Sequence, residues 1–156
     1  KRSQSFIRYN LPSILLFIVF LQIVFGAFVS GMDAGRIYNT WPLMGNNYFP
    51  DDNIFLNLFK IEAFSEPSLV QFIHRNLAYL ILFIFMVILY IVFINKMIKF
   101  YKIMKLLGLI LLIQIMLGIL TLISGAQMLL ASMHQISSIV LVSFCIYLLF
   151  LNKKIN

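Results

Sequence analysis

The sequence predicts an all-α integral membrane protein, a bundle of four transmembrane helices built from two helical hairpins. Two observations carry this. Charged residues make up only 11% of the 156, against roughly 25% in a soluble globular domain. Four apolar runs, at 12–32, 69–94, 106–124 and 128–151, reach the length of about 20 residues that a helix needs to cross about 30 Å of hydrocarbon. All five carboxylates (Asp33, Asp51, Asp52, Glu62, Glu66) fall in the connection 33–68. The whole chain, 1–156, is read as a single four-helix domain.

The first span follows Lys1, Arg2 and Arg8; Lys96, Lys99, Lys102 and Lys105 separate the second from the third; Lys153 and Lys154 follow the fourth. Lysine and arginine collect on the cytoplasmic side of membrane proteins, so both termini and the middle connection are expected inside. This distribution accounts for the net charge of +7 without nucleic acid as a partner; the partner the composition demands is the lipid bilayer. The 33–68 connection and a tight turn at Ser124, Gly125, Ala126 and Gln127 then face outward. Cys145, the one cysteine, lies within the fourth run, which excludes an intrachain disulfide and CxxC chemistry; it reads as a small buried apolar side chain. The chain begins with Lys rather than Met, so a processed or partial segment of a longer protein is expected.

The outer connection is longer than joining two spans requires. It opens with Asp33-Ala-Gly-Arg-Ile-Tyr-Asn-Thr-Trp-Pro-Leu-Met44. Gly35, Asn39 and Pro42 shape the backbone there, and Tyr38 and Trp41 suit the headgroup region. Its continuation is expected to lay a short amphipathic segment over the outer mouth of the bundle.

An internal repeat relates the two hairpins. Gln22 and Gly26 in the first span recur as Gln114 and Gly118 in the third, and the partner helices carry His74 and His134. Spans two and four run in the same direction, so the repeat is parallel, about an axis along the membrane normal. His74 and His134 fall about five and six residues into their spans, about 8–9 Å below the outer boundary. Gln22, Gly26 and Ser30, like Gln114, Gly118, Thr121 and Gly125, share one helical face. That face is either a packing seam or a pocket wall.

His74 and His134 are the only histidines, and ionisable residues inside a membrane mark functional sites. Two neutral imidazoles at one depth on facing helices can bind a metal from opposite sides, the axial arrangement of a six-coordinate haem, with their ligating nitrogens about 4 Å apart. Ala78, Ala131 and Ser138 keep the neighbouring turns small. Zinc fits less well, because no Asp or Glu falls in either span to complete a tetrahedral set. The alternative is that each histidine makes an interhelical hydrogen bond only. Arg75, one position after His74, is placed either to pair with a haem propionate or to snorkel to the surface. Arg36 and Asp33 offer a local ion pair or a second propionate contact. No nucleotide-binding glycine loop, Ser/His/Asp set or paired carboxylate is present, and the catalytic residues are unknown from the sequence.

Gly26–Met44, Val70–Tyr79 (VQFIHRNLAY), Leu117–Leu122 (LGILTL) and Ala131–Gln135 (ASMHQ) together resemble the carboxy-terminal half of the haem A synthase family, in the form found in proteobacteria and mitochondria. The resemblance implies one half of an eight-helix fold in the cell inner membrane. It implies a haem b cofactor bearing its iron between His74 and His134, with Arg75 beside the first ligand and the 33–44 stretch closing over this half. For the complete protein it implies oxidation of the C8 methyl of haem O to the formyl group of haem A, for cytochrome oxidase assembly. The expected partners are a missing amino-terminal half or partner subunit and haem O synthase; the electron donor is unknown. The amino-terminal half, with its catalytic carboxylate and histidine pair, has no counterpart here, so the activity of this chain alone stays open. The alternatives are a small membrane cytochrome b that only transfers electrons and a non-enzymatic assembly subunit.

Overall fold

The computed structural model describes residues 6–155; Lys1 and Arg2, which entered the charge argument, lie outside the described residues, as does the side chain of Lys154. Four helices long and apolar enough to cross a membrane form a bundle with no strand among the described residues: α1 (Leu11–Gly31), α2 (Pro67–Ile94), α3 (Ile98–Ile123) and α4 (Met128–Ile155). The chain is a multi-pass membrane protein. α1 and α2 start where proline occupies the first turn, where the ring's fixed φ suits the helix and its missing N–H costs no intrahelical bond.

The two tightest pairs are α1 with α2 and α3 with α4, the two expected hairpins. The Ser124–Gln127 turn is present, with Gly125 at φ 70° and Ala126 at φ 61°. Thr121 carbonyl oxygen accepts from the Ala126 N–H there. α1 also packs on α4, and α2 on α3. The packing is thus cyclic, and α2 and α4 stand across the diagonal.

Three boundaries differ from the sequence reading. α3 begins eight residues before the expected 106, so Lys99, Lys102 and Lys105 are helical rather than a connection. Lysine is a good helix former, and the face opposite these exposed lysines buries Phe100, Ile103, Met104 and Leu107. The loop between α2 and α3 shrinks to Asn95, Lys96 and Met97, with Lys96 left-handed at φ 51°. α2 begins two residues early at Pro67, and α4 continues past 151 to Ile155.

The apolar core occupies one end of the bundle. Leu15, Ile18 and Val19 of α1 meet Ile84, Phe85 and Ile88 of α2, Phe100 and Leu107 of α3, and Leu141, Cys145 and Leu148 of α4. Cys145 is the buried apolar filler expected. The chain ends are clasped here as well: Asn152 Oδ1 accepts from the Ile7 N–H (2.6 Å), and its Nδ2 donates to the Ile7 carbonyl (3.1 Å). The opposite end, where the histidines lie, holds the buried polar side chains Ser68, Gln71 and Gln114.

Candidate functional site

With α2 starting at Pro67 and α4 at Met128, His74 and His134 sit seven and six residues into their helices. At helical rise this is about 9–10 Å from the same end of the bundle. Both are half-buried and lie within electrostatic reach of one another. Each ring rests on a glycine of its hairpin partner. A Cβ added at Gly26 would stand 3.2 Å from His74 Cε1, and one at Gly118 would stand 3.1 Å from His134 Cε1. The two hairpins therefore repeat one local structure, an imidazole laid against a backbone that carries no side chain. The glycine face is at once a helix seam and the wall behind each ring.

The glutamines diverge where the glycines agree. Gln22 Nε2 lies 3.2 Å from His74 Nε2, whereas Gln114 Nε2 donates to the His134 backbone carbonyl at 3.1 Å. Around the rings, buried polar atoms remain without a hydrogen-bond partner among the described residues: Gln22 Oε1 on α1, His74 Nδ1 on α2, Thr121 Oγ1 on α3 and His134 Nδ1 on α4. Every span contributes at least one, and α2 also contributes Gln71 Oε1 and Arg75 Nε. Unsatisfied buried polar atoms are rare and cost about 1–3 kcal/mol each, so this concentration makes the histidine end the candidate site. No group of three or more His, Cys, Asp or Glu gathers among the described residues. Ala78 and Ala131 keep the turns beside the rings small, and Ser138, another turn along, bonds the Gln135 carbonyl at 2.6 Å.

Arg75 turns toward the outer connection. Its Nη1 donates to the carbonyls of Thr40 (3.0 Å) and Leu43 (3.1 Å), and Nη2 donates to that of Tyr38 (2.9 Å). Gln71 Nε2 adds a second bond to the Tyr38 carbonyl at 3.1 Å. Asn39 Nδ2 reaches the carbonyls of Gly35 (2.8 Å) and, on α3, Leu122 (2.9 Å). Residues 38–43 are thereby tied to α2 and α3 as a cover over the histidine end. Tyr48 Oη bonds Asn76 Oδ1 at 2.5 Å, and the Asn53 amide reaches Ser68 Oγ at 2.8 Å. Burial first, and then the charge of Asp52, hold the Tyr38 phenol above its usual range. Arg75 Nε is buried without a partner. Arg36 and Asp33 form an exposed local ion pair at 3.6 Å, an interaction worth little in water.

Further along the connection two short 3₁₀ turns, Phe55–Phe59 and Ile61–Phe64, replace the expected amphipathic segment. Phe55, Leu56, Phe59 and Ile61 point outward rather than onto the mouth. The loop contacts of Arg75, the bridge from Asn39 and the Gln22–His74 pair were not read from the sequence. The signal for the loop contacts was the clustering of turn-forming residues around Tyr38–Pro42, and that for the Gln22–His74 pair was the internal repeat.

The pattern of the COX15-CtaA family, described as cytochrome oxidase assembly protein, matches residues 3–146. Among curated relatives, haem A synthase of Pelagibacter ubique is 44% identical over 142 residues, which is 91% of this chain and 41% of that protein. Haem A synthase of Rickettsia felis is 37% identical over 140 residues, 90% of this chain and 41% of its own length. That of the Wolbachia of Brugia malayi is 39% identical over 155 residues, 99% of this chain and 44% of its own. The chain thus spans about two fifths of the length of these relatives. No solved structure matches it. With the family pattern covering all but the two ends of a four-span bundle, the chain belongs to the cytochrome oxidase assembly protein family that includes haem A synthases.

Proposed function

We propose that the chain, residues 1–156 as one domain, is the haem-binding half of a haem A synthase, with a haem b between His74 and His134. The complete enzyme would be an oxidoreductase converting the C8 methyl of haem O to the formyl of haem A for cytochrome c oxidase biogenesis. The observation that carries the reading is the set of unpartnered buried atoms, at least one from each span, that accompanies two imidazoles at a similar depth on α2 and α4. Two protein nitrogens are too few for a structural zinc site, and two are what the axial positions of a haem require.

When bound, the haem supplies one-electron redox chemistry. The chain's own residues do the rest. His74 and His134 would hold the iron, and Gly26 and Gly118 let each ring lie against the neighbouring helix. The buried Nε–H of Arg75 remains available to an anionic propionate edge while the other guanidinium nitrogens hold the cover. Residues 38–43 exclude water from the histidine end, which strengthens every electrostatic interaction inside. Substrate chemistry falls to the part of the relatives that this chain does not span, whether on the same polypeptide or on a partner subunit. Haem O synthase is the partner that would supply substrate. The charge bias favours an inner-membrane orientation with both termini and the Lys96–Lys105 region in the cytoplasm.

The test is the complete protein in membranes supplied with haem O and reductant. Formation of haem A is expected. Redox cycling of a low-spin haem with no haem A formed would favour the electron-transfer cytochrome instead, and absence of haem from folded protein would favour the assembly subunit.

A further inference from the structure

At the end of the bundle opposite the histidines lies a cavity of about 170 Å³, where the chain enters α1 and leaves α4. Its lining includes Arg8 and Lys153, from opposite ends of the sequence, together with Asn10 and Ser13. The floor is the clasp between Ile7 and Asn152, a two-way bond across 145 residues. Tyr9 and Asn10 are both left-handed, at φ 61° and 50°, a conformation costly for tyrosine, and they turn the chain sharply between Arg8 and the first residue of α1. The side chain of Asn10 makes no capping bond to α1. Among the described residues no carboxylate lines the cavity.

We propose that this cavity binds the phosphate of an anionic phospholipid headgroup. The position fixes the class of ligand. Lys153 lies in the last turn of α4 and Arg8 stands three residues before α1, so both cations lie at headgroup level. Below them α1 turns Ile14 and Phe17 outward, 42% and 63% exposed, and α4 turns Ile146 and Phe150 outward, 49% and 56% exposed; these are surfaces for acyl chains. A phosphate would accept from the guanidinium, the ammonium, the Ser13 hydroxyl and the Asn10 amide. The positive end of the α1 dipole adds to this attraction without creating it. Basic pockets between membrane helices recognise anionic headgroups by this chemistry. Neutralised there, Arg8 and Lys153 can sit side by side in one cavity without mutual repulsion.

The experiment compares purified, delipidated chain with R8Q/K153Q and with K99Q/K102Q, which removes the same two charges from exposed positions on α3. Binding of short-chain phosphatidylglycerol, short-chain phosphatidylcholine and inorganic phosphate is followed by native mass spectrometry. The expected result is retention of phosphatidylglycerol over phosphatidylcholine, weakened about thirtyfold in R8Q/K153Q, about fivefold for each cation, and by no more than about twofold in K99Q/K102Q. S13L keeps both charges and fills the cavity, so loss of binding there supports the site even if R8Q/K153Q fails to fold. Equal losses in the two charge variants, or full binding by S13L, would overturn the proposal. Binding of inorganic phosphate as tightly as the lipid would overturn the headgroup assignment.

Discussion

Replacing Gly26 or Gly118 by alanine should damage the histidine site while leaving the bundle intact. The new Cβ would lie 3.2 Å from His74 Cε1 in the first case and 3.1 Å from His134 Cε1 in the second. Carbon pairs rest at about 3.5–4.0 Å, so each ring must retreat by roughly half an ångström. Metal–nitrogen bonds hold within about 0.2 Å of their ideal length, and a ligand displaced by twice that coordinates poorly. Overpacking costs about 1–3 kcal/mol, and alanine regains about 1 kcal/mol of helix propensity over glycine. The net expectation is a haem affinity lower by up to about 2 kcal/mol, at most roughly thirtyfold. Gly31, with nothing within 4 Å of an added Cβ, is the control, and its alanine variant should bind haem as the parent does. The assay is haem per inserted chain with the low-spin absorbance, after helix content and monodispersity have been matched. Full low-spin haem in both G26A and G118A would refute the view that these glycines make room for the ligating rings.

Three further outcomes follow from the packing. Gly108→Ala puts a Cβ 3.1 Å from Phe85 Cζ in the apolar core, so it should lower thermal stability by about 1–2 kcal/mol with haem binding unchanged; a spectral change there would mean that the two ends of the bundle are coupled. Arg75→Leu removes three bonds to the carbonyls of Tyr38, Thr40 and Leu43 and should speed amide exchange across residues 38–44 about tenfold; unchanged exchange would show that other contacts hold the cover. Asn152→Ala leaves the N–H and C=O of Ile7, itself 1% exposed, without partners, at a cost of about 2–4 kcal/mol. Thermal unfolding in detergent measures that loss, and a change under about 0.5 kcal/mol would deny the clasp its structural role.

The apolar runs made the four spans legible, because length and hydrophobicity alone decide what can cross a bilayer. The start of α3 was obscured for the same reason: Lys99, Lys102 and Lys105 interrupt hydropathy without interrupting a helix, and only the buried Phe100, Ile103 and Met104 on the opposite face show that it continues. At the candidate site, the histidines and the Gln-x-x-x-Gly spacing were visible in the sequence, and each histidine meets the glutamine and glycine of its own hairpin. The structure adds that both glycines lie directly against the imidazole rings. Arg75 could not be assigned from its neighbours along the helix, since its partners are backbone carbonyls 32–37 residues away, and any residue can offer a carbonyl. The different targets of Gln22 and Gln114 were hidden likewise, because a repeat in sequence sets where a side chain starts and not which acceptor it reaches.

The most direct measurement is the optical spectrum, oxidised and then reduced, of the detergent-solubilised chain expressed with ample haem, beside His74→Ala, His134→Ala and the double variant. The account predicts a low-spin bis-imidazole spectrum with a sharp reduced α band, altered coordination with residual haem in each single variant, and loss of specific coordination in the double variant while all four chains still insert. A full low-spin signal in both single variants, or folded chain with no haem, would contradict it.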